Sequence, residues 1–253
     1  MAGGGLVALA TMMAAETTGA AAKTLVACAV PITAAIAGSA WAAWRPPGAK
    51  ARSAIQHFAS GLVFAVAATE LVPDLKTEHR TAAVIFGFSL GVGLMLAIQV
   101  SVKRFGGESG SPAATLVVTG IDLVVDGLLI GIGFAGGGAV GPLLAFALTI
   151  ELLGLGVAVA LELLEAGYTR AKVVTTTGAL SLLVAIGGIL GSTALAHLGG
   201  DALSVVLAFA TAALLYLVTE ELLSEAHETP DTPALTATFF VGFLLILVLS
   251  FNT

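Results

Sequence analysis

Charge is the scarcest thing in this sequence. Lys, Arg, Asp and Glu make up 10% of its 253 residues, against about 25% in a soluble globular domain. So few charged groups cannot coat a water-facing surface, which excludes a soluble enzyme with a large core. No polar stretch is long enough to form a soluble domain on a single anchor. The apolar runs do not alternate, which argues against a β-barrel. No basic tract fits a nucleic-acid surface. A single cysteine, Cys28, excludes an internal disulfide and packs as a small hydrophobe in an apolar run. The phosphate loop GxxxxGK[ST] is missing, as are GxGxxG, HExxH and CxxC. Neither an enzyme nor an ATP-driven pump is indicated, and no cofactor is expected. The first residues lack the basic n-region of a signal peptide, and Glu16 interrupts their apolar stretch.

Apolar residues, by contrast, reach 58%. They fall into blocks of roughly 20 residues, each long enough to cross about 30 Å of hydrocarbon. Breaks rich in Gly, Pro and charge divide the chain into eight predicted spans: about Lys23 to Trp44, Ala54 to Val72, Ala82 to Val102, Pro112 to Gly136, Pro142 to Ala166, Val173 to Leu198, Ala202 to Leu223 and Ala234 to Leu249. Pro73 is expected to close span 2. The fold class is therefore all-α, a polytopic membrane protein. Residues 1–22 form a small-residue segment, frayed, interfacial or an extra helix, and 23–251 form the transmembrane domain. Arg45, Lys50, Arg52, Lys103, Arg104, Arg170 and Lys172 fall on one side; Lys23, Lys76 and Arg80 fall on the other. Basic residues favour the cytoplasm, so both termini are expected outside it.

Two internal echoes suggest repetition. Span 2 ends ATELVPD and span 7 ends TEELLSE, which places Glu70 on Glu221. In spans 4 and 5, DLVVDG superposes on ELLGLG, matching Asp122 to Glu151 and Gly127 to Gly156. Spans 2 and 7 are antiparallel under this count, as inverted repeats in secondary transporters require.

The chemistry-bearing candidates are acids buried in apolar surroundings. Asp122 and Asp126, four residues apart, share one face of span 4. A carboxylate at that depth costs several kcal/mol without a cation, proton or polar partner, and two on one stripe repel. Glu151 in span 5 would complete a three-carboxylate cluster. Gly127, Gly131, Gly133, Gly154 and Gly156 are expected to let spans 4 and 5 approach closely, or to serve helix packing generally. Glu162 and Glu165 form a cytoplasmic exit or are simply solvated. His57 is a pathway ligand or a polar anchor. Glu70, Glu220 and Glu221 line a mouth or cap helix ends. Gln99 and Thr149 supply neutral oxygen ligands or bonds between helices.

These features resemble the ZIP (ZRT/IRT-like) family of divalent metal transporters. The likeness covers roughly Lys23 to Leu249, including HFASGLVFAVAATELVPD in span 2 and FGFSLGVGLML in span 3. The resemblance implies eight core helices, outward termini and spans 1–3 inverted against 6–8 around spans 4 and 5. The family's span 4 motif, His-Asn-x-Pro-Glu-Gly, falls on Asp122 to Gly127, with Asp126 at the Glu position. Its span 5 motif falls on Glu151 to Gly156, with Glu151 at the first His. Every imidazole of the family's paired-metal site is replaced, and both prolines are lost. Asp122, Asp126 and Glu151 remain as an oxygen-only ligand set. The resemblance thus implies a secondary transporter of a divalent cation as substrate, Zn, Mn, Fe or another metal. The alternatives are a proton-coupled small-solute transporter and a nontransporting scaffold or receptor. Expected partners are the lipid bilayer and the divalent cation, with no nucleic acid and with homodimer formation left open. The expected location is a prokaryotic inner (plasma) membrane.

Overall fold

The computed structural model describes residues 3–77, 80–105, 112–136, 139–194, 198 and 200–251. Among these, every regular element is a helix. Eight helices are long and apolar enough to cross a bilayer: Ala21–Trp44, Ala49–Lys76, Thr81–Val100, Leu116–Ala135, Val140–Glu165, Arg170–Thr193, Asp201–Ala226 and Pro233–Ser250, numbered here spans 1 to 8. The chain is an integral membrane protein of the all-α class. Span 1 is the latter part of a longer helix, Gly3–Trp44. The sharp stop of span 5 has a local cause. Gly167 takes φ +84°, a conformation that favours glycine, while Tyr168 N–H bonds Leu163 O and Gly167 N–H bonds Leu164 O.

Span 2 does not end at Pro73. Its helix Ala49–Val66 widens into a π-helical turn over Ala67–Leu71 and resumes as Val72–Thr77. Pro73 lacks an N–H, and its ring crowds the carbonyl four residues back; a π turn at that place relieves the crowding. Span 7 does the same, with a π turn over Leu217–Leu222 inside Asp201–Ala226. No proline explains the second one, since Ser224 stands where Pro73 would.

The spans pack in two groups, 1 with 4, 5 and 6, and 2 with 3, 7 and 8. Spans 4 and 5 are central, with 56% and 67% of their apolar windows buried, whereas spans 3 and 8 show 17%. The exposed Ile85, Phe86, Phe240 and Val241 are the side chains that meet lipid tails.

Glycines weld the seams. A Cβ on Gly127 would stand 2.0 Å from Val184 O, and one on Gly187 2.1 Å from Val124 O, so spans 4 and 6 clasp each other reciprocally. Spans 1 and 5 repeat the device with the same spacing, Gly156 against Ala35 O and Gly38 against Leu153 O, both at 2.2 Å. Gly242 seats on Phe58 O at 2.3 Å and Gly91 on Phe209 O at 2.8 Å. The shift along the chain that carries Gly91 to Gly242 also carries Phe58 to Phe209, Ser53 to Ser204 and Glu70 to Glu221. One expectation is corrected here. Of the five glycines assigned to the seam between spans 4 and 5, Gly133 serves it, against Gly141. Gly127 and Gly131 serve span 6, Gly156 serves span 1, and Gly154 leaves room for Gln56 of span 2. The reason is that spans 4 and 5 each have a closer neighbour than one another.

Candidate functional site

The clasps hold spans 4 and 5 so that their acids face one another. Asp122, Asp126 and Glu151 each offer an oxygen, and these oxygens lie within 4.8 Å of one another. Asp126 and Glu151 are 0% and 2% exposed. Both oxygens of Asp126 and Oε2 of Glu151 lack any hydrogen-bond partner. Unpaired buried carboxylates are among the costliest groups a protein can hold, and inside a bilayer water supplies no relief.

Glu221 is a neighbouring fourth acid. It sits half-buried on the π turn of span 7, close enough for its charge to act on Asp122, Asp126 and Glu151. Glu220, its neighbour, is exposed. Among the described residues, no Lys, Arg or His forms an ion pair with any of the four acids. The cluster therefore requires protons or a cation to carry its charge.

A cavity of about 370 Å³ lies between spans 2, 5 and 7, lined by Gln56 and by Gly154, the latter one helical turn from Glu151. Glu162 and Glu165 of span 5 and Glu228 after span 7 line it, with Arg52 as its basic lining residue. Deeper, the Gln56 amide of span 2 donates to Glu225 of span 7. That contact depends on Gly154, where a Cβ would come within 3.0 Å of Gln56 Oε1. Glu225 acts electrostatically on both Glu151 and Glu221. Acidic oxygens thus run along the cavity to Glu225, whose charge reaches Glu151. At the opposite ends of the spans an ion pair joins Arg80, at the head of span 3, to Asp201, at the head of span 7.

The remaining sequence candidates stand apart. Glu70 is half-buried and receives the Thr69 hydroxyl at 3.3 Å; it does not join the cluster. Thr149 spends its hydroxyl on Ala145 O at 2.6 Å, and Gln99 lies half-buried on span 3. His57 is buried, with Nδ1 2.9 Å from Ser53 O, outside the acidic group. Two residues escaped the sequence reading: Glu225, one helical turn beyond Glu221, and Gln56, directly before His57. The first had a signal in its spacing; the second had none. No protein-family model matches the sequence, and no curated protein matches it. On its own geometry the chain is an integral membrane protein with a carboxylate cluster between its central spans.

Proposed function

We propose that this chain is a ZIP-like secondary transporter that carries a divalent cation through the Asp122, Asp126, Glu151 and Glu221 cluster. The observation that carries the reading is Asp126: fully buried, both oxygens unpartnered, and grouped with two further acids around one point. A divalent cation there would satisfy oxygens that the protein leaves bare. The donor set is all carboxylate, which suits Mn²⁺, Fe²⁺ or Mg²⁺ better than a strongly zinc-selective site. Acids of like charge this close together favour protons when the cation is away, so cation entry displaces protons and links the two movements.

The seams support an inverted repeat of spans 1–3 against 6–8 as the scaffold for alternating access. Under that exchange the 4–6 clasp answers the 1–5 clasp, and the 2–8 contact at Phe58 answers the 3–7 contact at Phe209. The basic loops on the cavity side support a cytoplasmic placement of that face, which would make the conformation described an inward-facing one. The test is Mn²⁺ flux into proteoliposomes. The double variant Asp126→Asn with Glu151→Gln should lose at least 90% of the flux while remaining folded. Undiminished flux would remove these acids from the mechanism.

The grouping of like-charged acids with no basic ion-pair partner among the described residues favours a second reading, a proton-coupled solute carrier. It predicts proton flux with a metal-free solute and no bound divalent ion in the purified protein.

A further inference from the structure

A second cluster lies outside the acidic one, at the same face, where the link between spans 7 and 8 folds back on span 2. His57 Nε2 stands 3.6 Å from Asp231 Oδ1, and His227 Nε2 stands 3.2 Å from Asp231 Oδ2. The two imidazole rings meet at 5.3 Å between centroids, tilted by 67°. One donor atom from each of the three residues falls within 4.8 Å of the others.

The hydrogen bonds fix which ring nitrogen is free. His57 Nδ1 faces the Ser53 carbonyl at 2.9 Å, and His227 Nδ1 bonds the Leu223 carbonyl. A carbonyl only accepts, so Nδ1 carries the proton in both rings. Each Nε2 of a neutral ring is then a lone pair, and both lone pairs point at a carboxylate that can only accept. Two imidazole nitrogens and a carboxylate thus face one point, a ligand set that a transition-metal cation would satisfy. The backbone-anchored Nδ1 is the support that metal-ligating histidines usually have. Three ligands at about 2.1 Å from a tetrahedral Zn²⁺ would stand about 3.4 Å apart; the two imidazoles approach different oxygens of Asp231 at 3.6 and 3.2 Å, and one donor atom from each residue lies within 4.8 Å of the others.

His57 gives the strongest indication. It is 2% exposed, yet its Nε2 is aimed out of the span at a loop residue. The loop is built to meet it: Thr232 caps span 8 by accepting from Leu235 N–H, and Pro233 follows. Asp231 is thereby fixed beside the first turn of that helix.

We propose that His57, His227 and Asp231 form a second divalent-metal site, selective for imidazole-preferring transition metals such as Zn²⁺, that pins the 7–8 link to span 2. It goes beyond the transport reading and does not depend on it. Imidazole donors prefer Zn²⁺, Cu²⁺ or Ni²⁺, whereas the buried carboxylates prefer harder cations, so the two sites sort metals differently.

The experiment is Co²⁺ titration of the full chain in detergent at pH 8, read by its visible absorption. The chain carries Asp126→Asn and Glu151→Gln to silence the buried cluster. One Co²⁺ should bind per chain with an intense tetrahedral band that Zn²⁺ displaces. His227→Gln and Asp231→Asn, both at exposed positions, should each weaken binding at least tenfold. Absence of the band, or a band indifferent to His227→Gln, overturns the site and leaves imidazolium ion pairs in its place. X-ray absorption of the wild-type chain loaded with Zn²⁺ gives a readout that needs no variant. Two imidazoles on zinc are expected, and none would be fatal to the assignment. A failed flux assay beside a positive Co²⁺ band would sink the transport reading alone.

Discussion

The ends of spans 2 and 7 are built alike and placed differently. Each widens into a π turn, over Ala67–Leu71 and Leu217–Leu222, and each carries an acid at the matching place, Glu70 and Glu221. Yet Glu221 acts electrostatically on Asp122, Asp126 and Glu151, while Glu70, equally half-buried, has Thr69 as its partner. Sequence and local geometry being equal, the surroundings make the difference. Span 2 packs extensively along span 5, whereas span 7 touches span 4 less. Under the proposed repeat, the two acids exchange places between the two transport states, and the conformation described has Glu221 engaged.

The comparison rests on the glycine seams, and breaking them should have the largest effect. Gly127→Ala and Gly156→Ala each push a Cβ into a backbone carbonyl, at 2.0 and 2.2 Å. Each should cost about 3 kcal/mol or more, seen as loss of monodisperse folded protein. Gly93→Ala, with nothing within 4 Å, should change stability by less than about 1 kcal/mol. A tolerated Gly127→Ala beside a lethal Gly156→Ala would deny that the two clasps are equivalent.

Next comes the exchange itself. Glu221→Gln should weaken equilibrium Mn²⁺ binding and cut flux at least tenfold. Glu70→Gln should leave binding within twofold and still cut flux several-fold, because it acts in the other state. Full flux in Glu70→Gln would end the exchange idea.

Access is the subtler measure. Gln56, 6% exposed, lines the cavity, while Leu207, reached from it by the same shift and 7% exposed, is not among the residues that line it. In chains with Gln56→Cys or Leu207→Cys, a hydrophilic thiol reagent should modify the first about tenfold faster. Native Cys28 is buried and adds little background. Equal rates would mean that the cavity does not distinguish the faces.

The smallest effect is expected from Pro73→Ala. Span 7 keeps its π turn without a proline, so flux should fall no more than about twofold, with stability changed by about 1 kcal/mol or less. A collapse of flux would make Pro73, and not the shared architecture, the cause of the bulge in span 2.

Much of this was legible in the primary structure. Runs of apolar residues as long as a bilayer is thick leave little choice of fold, and the eight spans stand close to where hydropathy and breakers place them, except that span 2 runs on past Pro73. Asp122 and Asp126 were visible because charge in an apolar run is costly, and Glu151 because its spacing to Gly156 copies that of Asp122 to Gly127. Glu221 was only half legible. Paired with Glu220 at a helix end it reads as a solvated mouth, and the π turn that separates the two leaves no local signature in span 7. Gln56 was illegible, since its role comes from the missing side chain of Gly154 on another span. The triad of His57, His227 and Asp231 spans too much sequence for spacing to reveal it.

The reciprocal clasps have a mechanical consequence. Where two helices touch backbone to backbone there is no slack for sliding, because any slip drives a carbonyl into the next Cα. Spans 4 and 6, and spans 1 and 5, must travel as one stiff block. Whatever motion this protein makes is left to joints filled by pliable side chains, of which Gln56 against Glu225 is the one nearest the buried acids.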